Sequence, residues 1–213
     1  KTRYGWGLAA SPVLHRGRLY IVNDNEQQSF LVALDAKTGK QIWRVNREGE
    51  KSNWSTPFIW ENKLRTEIIT PGTRKNRAYD LTGKLLYQFG GNSSITIATP
   101  YAKFGLLFVT SGYVGDRKKP MFAIRPGAKG DISLASGGDK NEYVAWCQRR
   151  AGPYNPSTIV YGDLMYVLLD RGLVSCHEAK TGKKVYGPER LTGGRAFPSS
   201  PFAFNDRIFF LNE

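Results

Sequence analysis

Histidine, cysteine and methionine are scarce in this 213-residue chain, with two of each. Cys147 and Cys176 are too far apart for a Cys-x-x-Cys zinc pair and too few for a disulfide framework, which leaves two buried thiols as the expectation. His15 and His177 have no spacing that suggests a metal pair. No apolar run approaches the roughly 18 residues of a membrane span, since Pro100, Lys103 and similar residues break every candidate. Residues 1–10 do not resemble a signal peptide. Nucleophile-elbow, zinc-protease, P-loop and dinucleotide motifs are all missing, so the common catalytic signatures lend no support to an enzyme. Asn53-Trp54-Ser55 and Asn92-Ser93-Ser94 match glycosylation sequons, a pattern that short sequences reach by chance.

What is present points to a globular β protein. Hydrophobic residues make up 40% and aromatics 13%, enough for a sizeable core. The 23 glycines and 11 prolines punctuate short apolar runs, and few stretches keep helical spacing. The formal charge is +13, from 31 Lys and Arg against 18 Asp and Glu, which suits an anionic partner. Its clusters, Arg74-Lys75, Arg117-Lys118-Lys119, Arg149-Arg150 and Lys183-Lys184, stand beside glycine or proline and read as solvated loops.

An internal repeat organises the chain. Ser11-Pro12, Thr56-Pro57, Thr99-Pro100, Ser157-Thr158 and Ser200-Pro201 each open a similar stretch. The spacings are 45 residues from Pro12 to Pro57, 43 to Pro100, 58 to Thr158 and 43 to Pro201, which is blade length for a propeller. Each opening leads to a polar turn and a second apolar run, such as Leu19–Val22, Leu106–Val109 and Met165–Leu168. The first copy continues with Leu31–Asp35, a turn through Gly39, and Gln41–Arg44. In that turn Asp35 can accept backbone N–H groups ahead of it, and Gly39 can take positive φ without a Cβ clash. Trp43, on the outermost strand, can lie flat on the next blade.

Ala33, Asp35, Gly39 and Trp43 resemble the tryptophan-docking motif of quinoprotein, or PQQ-like, β-propellers. The second copy reads Ala78, Asp80, Gly83 and Tyr87, and the fourth Cys176, Glu178, Gly182 and Tyr186. In the third, Ala123 precedes its candidate docking residue Trp146 by 23 residues rather than 10. The extra 13 residues, rich in Gly, Ser and Asp around Gly130–Asn141, are expected as a solvated excursion between that blade's outer strands.

The expected architecture is all-β: blades at about 11–55, 56–98, 99–156 and 157–199 and a partial one at 200–213, an open arc of about four blades from a larger propeller. Trp43 and Trp146 are expected largely buried between blades. A closed ring, with residues 1–7 pairing to the fifth copy, is the competing arrangement.

The resemblance implies two functions. One is a PQQ-dependent alcohol or sugar dehydrogenase, which needs calcium ligands, a carboxylate base and a flat aromatic surface, for which Trp6 and Trp54 are candidates. No calcium and base constellation is identifiable, however, and the adjacent Cys-Cys pair of many such enzymes is missing. The other, which the chain fits better, is a non-catalytic scaffold resembling the outer-membrane assembly lipoprotein of Gram-negative bacteria. It needs no cofactor, binds a protein through blade loops, and works in the bacterial periplasm or at the cell surface. A basic disc binding acidic polysaccharide or nucleic acid is the third reading.

Overall fold

The computed structural model describes residues 1–213 and is almost wholly β, with one short 3-10 turn at Arg3–Gly5. Blade one comprises β1 (Val13–His15), β2 (Arg18–Asn23), β3 (Phe30–Asp35) and β4 (Gln41–Asn46). Blade two holds β5 (Phe58–Glu61), β6 (Thr66–Thr70), β7 (Lys75–Tyr79) and β8 (Leu85–Gly90). The chain continues with β9 (Tyr101–Lys103), β10 (Leu106–Thr110), β11 (Met121–Ile124), a two-residue strand β12 (Gly130–Asp131), and β13 (Val144–Gln148). Blade three is β9, β10, β11 and β13. Blade four has β14 (Ile159–Tyr161), β15 (Leu164–Leu169), β16 (Leu173–Glu178) and β17 (Lys184–Arg190), and a final hairpin joins β18 (Phe202–Phe204) to β19 (Arg207–Phe209). No helix is long and apolar enough to cross a membrane.

Strand alternation sorts side chains between neighbouring blades. On β10, Leu107 and Val109 enter the core shared with blade two, whereas Phe108 enters the one shared with blade four. Tyr20, Val22 and Leu31 of blade one meet Ile68 and Tyr79 of blade two in a third such core. The inner blades are therefore covered on both faces, which is why β6 and β11 are apolar or buried at nearly every position.

The arc is open. Inner strands follow one another, β1 against β5, β5 against β9 and β14 against β18, while Leu14 on β1 and Phe204 on β18 are each 64% exposed. The final hairpin pairs only with itself. Residues 1–7 do not close the disc. Instead the Lys1 carbonyl accepts from the Glu26 N–H at 2.9 Å, and the Arg3 N–H donates to the Ser52 hydroxyl at 2.8 Å.

The insert differs from the expected free loop. It leaves β11, crosses to blade two and pairs β12 in parallel with β8, Gly130 opposite Tyr87 and Asp131 opposite Gln88. Ile132 buries itself in the core between blades two and three, and Lys75 holds Asp131 at 3.0 Å. An apolar residue and an ion pair thus fasten a segment whose glycines and serines read as solvated.

Candidate functional site: the blade junctions and the loop face

The four docking aromatics occupy one register. Trp43 lies opposite Ala33, Tyr87 opposite Ala78, Trp146 opposite Ala123 and Tyr186 opposite Cys176. In each blade a bulge follows that small residue immediately. The added residue re-aims the strand toward the following turn. Asp35 caps its turn by accepting N–H groups of Lys37 and Thr38 at 3.1 and 2.8 Å and the Thr38 hydroxyl at 2.8 Å, which lowers its pKa. Asp80 accepts the N–H groups of Thr82 and Lys84 at 2.8 and 3.0 Å. Glu178, a methylene longer, receives the Thr181 hydroxyl at 2.7 Å.

Each tryptophan reaches forward. The Trp43 indole N–H donates to the Leu81 carbonyl of blade two at 3.1 Å, with its ring over Gly83. The Trp146 indole N–H donates to the Ala179 carbonyl of blade four at 3.1 Å, with its ring over Gly182. Trp146 is buried, 6% exposed, whereas Trp43, also expected largely buried, is partly buried. It lies on the outermost strand of blade one, where its neighbours Ile42 and Arg44 are exposed. Tyr87 is buried in the core between blades two and three and does not touch Gly127, which faces Leu64. At the two ends of the arc, Gly39 receives no ring and Tyr186 remains exposed.

A buried polar clamp joining blades one and two escapes sequence reasoning. Arg47, wholly buried, donates to both Asp24 carboxylate oxygens at 2.7 and 2.9 Å and to the Pro71 carbonyl at 3.4 Å, and Asn53 donates to the same carboxylate. Burial disfavours the guanidinium charge, yet Asp24 more than reverses this and raises its pKa. Neither residue belongs to a recognisable motif.

Antiparallel succession puts the links between blades, together with the β2–β3, β6–β7, β10–β11 and β15–β16 loops, at one end of every sheet. On this loop face Tyr4 and Trp6 are 60% and 56% exposed. Their ring centroids are 4.9 Å apart, and Trp6 leans on Trp54 at 5.5 Å. Trp54 is buried, its indole N–H donating to the Gly7 carbonyl at 2.9 Å. The structure also joins two basic clusters that are distant in sequence. The Lys119 N–H donates to the Arg149 carbonyl at 3.0 Å, and Lys119 bridges Arg150 in parallel.

The calcium and quinone that the resemblance implies do not fit this donor set. No three His, Cys, Asp or Glu side chains converge to hold a metal. Trp54 lies beneath Trp6, so it presents no open plane. Cys147 and Cys176 are buried in separate blades, and burial pushes the Cys147 thiol up to about 11. His177 is buried too, its ring bonded to the Ser175 hydroxyl and the Gly182 carbonyl at 3.1 and 3.2 Å.

Solved structures share the fold. BamB from Moraxella catarrhalis superposes with a TM-score of 0.61 at 14% identity, over 94% of this chain and 54% of that one. Quinohemoprotein alcohol dehydrogenase from Comamonas testosteroni gives 0.63 at 13% identity, over 96% and 39%. A europium-containing methanol dehydrogenase gives 0.57 at 13%, over 83% and 40%. The chain thus spans about half, or less, of each of these proteins. A search of curated proteins finds no match. The family profile described as "Outer membrane protein assembly factor BamB" matches residues 1–185, and with these blades in place the chain belongs to that PQQ-like propeller family.

Proposed function

We propose that this chain is a non-catalytic propeller that serves as a protein-binding or assembly scaffold in the bacterial periplasm or at the cell surface. The observation that carries the reading is the aromatic run of Tyr4 and Trp6, exposed on the loop face and backed by buried Trp54. Rigidly backed, solvent-facing aromatics are what protein interfaces use as anchors. The rigid disc behind them suits docking, since blades hold their loops at fixed separations. The family description, an assembly factor for outer membrane proteins, supports the same reading and the compartment. The scaffold reading calls for no cofactor.

Photo-crosslinking in cells tests the proposal. A photoreactive residue at Leu8, which is exposed beside the run, is expected to yield one protein adduct. The adduct disappears when Tyr4→Ala and Trp6→Ala are combined, and the same probe at Lys63 gives none. No adduct at Leu8, or one indifferent to those substitutions, overturns the scaffold reading.

A further inference from the structure

Four cations gather on the loop face between blades three and four without ion-pair partners. Arg117, Lys119, Arg150 and Arg171 take part in none of the chain's ion pairs. Lys119 and Arg150 line a cleft of about 300 Å³ together with Tyr154, Asp170 and Arg171. The same two cations also line an adjoining hollow of about 510 Å³, with Asp116 and Arg117. A concave surface dominated by one sign of charge concentrates oppositely charged ligands, and the cleft volume lies at the lower end of ligand pockets, about 300–1,000 Å³.

The remaining lining narrows the ligand class. Asp170 is partly buried and accepts the Asn155 N–H at 3.1 Å, so its carboxylate is fixed in the cleft. Burial raises its pKa against the favourable pull of that N–H, Lys119 and Arg171. Asp116 is fixed as well, receiving the Ser93 hydroxyl at 2.8 Å and the Ser94 N–H. Two carboxylates among four cations suit a ligand with both anionic groups and hydroxyl donors, and repel an unbroken phosphate backbone. Tyr154 meets Tyr113 edge to face, with centroids 5.2 Å apart and planes at 63°. That arrangement offers one ring to the C–H face of a sugar rather than a parallel pair for stacked bases.

We propose that this cleft binds an acidic oligosaccharide, with Lys119, Arg150 and Arg171 pairing to its carboxylates, Asp170 accepting its hydroxyls and Tyr154 packing on a sugar ring. The cleft adjoins the aromatic run, since Tyr4 acts electrostatically on Tyr154 and Arg3 on Asp116, but the proposal does not depend on the scaffold reading.

Calorimetric titration with a short oligogalacturonate tests it. Binding is expected at low ionic strength, weaker as salt rises, and absent for a neutral maltooligosaccharide of equal length. Lys119→Gln with Arg150→Gln lowers affinity about tenfold or more, equivalent to about 1.4 kcal/mol, and Lys63→Gln leaves it unchanged. Arg117→Gln with Arg171→Gln, both exposed, repeats the loss should the first pair fail to fold. No binding of oligogalacturonate, equal binding by the variants, or equal or tighter binding of single-stranded DNA of the same charge overturns the proposal. Crosslinking at Leu8 is expected to persist in both double variants, so the two proposals fail independently.

Discussion

Gly39, Gly83 and Gly182 occupy equivalent turns with φ of +69°, +89° and +71°, yet they meet different surroundings. A Cβ at Gly39 has nothing within 4 Å, one at Gly83 meets the Trp43 ring at 3.0 Å, and one at Gly182 meets the Trp146 ring at 2.6 Å. Alanine at any of them incurs the left-handed backbone cost, about 1–2 kcal/mol. At Gly39 nothing is added. At Gly182 the contact is shorter than real Cβ atoms tolerate, and the buried indole must shift, at an overpacking cost of about 1–3 kcal/mol. Losing the indole bond to Ala179 adds about 1 kcal/mol. Gly39→Ala is therefore expected to cost about 1–2 kcal/mol and Gly182→Ala about 3–6. Gly83→Ala falls between, because partly exposed Trp43 can move. Because φ at Gly39 and Gly182 nearly coincides, their difference isolates the docking contact from backbone strain. Urea unfolding at unchanged m-value reads it directly. A difference below about 0.5 kcal/mol, within the usual scatter of surface substitutions, refutes the idea that Trp146 seats on this glycine.

Trp146→Ala is expected to destabilise by about 3–5 kcal/mol as a buried aromatic, and Trp43→Ala by clearly less, in the same unfolding assay. Asp131 is held at a pKa of about 2, first by Ser133 and then by Lys75, against burial. Because that value is depressed from 3.8, its contribution is complete above about pH 4 and drains as the pH falls toward 2; Asp131→Asn should flatten this part of the stability curve. Cys147, buried and raised to about 11, is expected to react with a thiol reagent at mildly alkaline pH only after unfolding, as a colorimetric time course will show. Added PQQ and calcium should produce no dye-linked oxidation of alcohols or sugars, and activity that requires both would reverse the cofactor reading.

The strands were legible because the repeat places similar openings before similar apolar runs: Leu19–Val22 falls inside β2, Leu106–Val109 inside β10 and Met165–Leu168 inside β15. The open arc followed from the same register. What escaped depends on contacts between distant segments. The crossing of β12 to β8 joins residues more than forty apart and carries no alternating pattern of its own. The Asp24–Arg47 clamp spans two loops, each ordinary when read alone. The cationic cleft forms because backbone pairing brings Lys119 to Arg150, two clusters that read separately as solvated loops.

The crossing strand also governs how the molecule can come apart. In a simple propeller each blade meets its neighbours only through side chains, so a blade can open alone, as repeats in a linear array do. Here β12 adds main-chain hydrogen bonds from the segment after blade three's β11 to the outer edge of blade two, and Ile132 enters their common core. The two blades cannot part without breaking the β12–β8 pairing. In native-state hydrogen exchange the amides of β6, β7, β10 and β11 should therefore lose protection together and last, with β1 and the β18–β19 hairpin exchanging well before them.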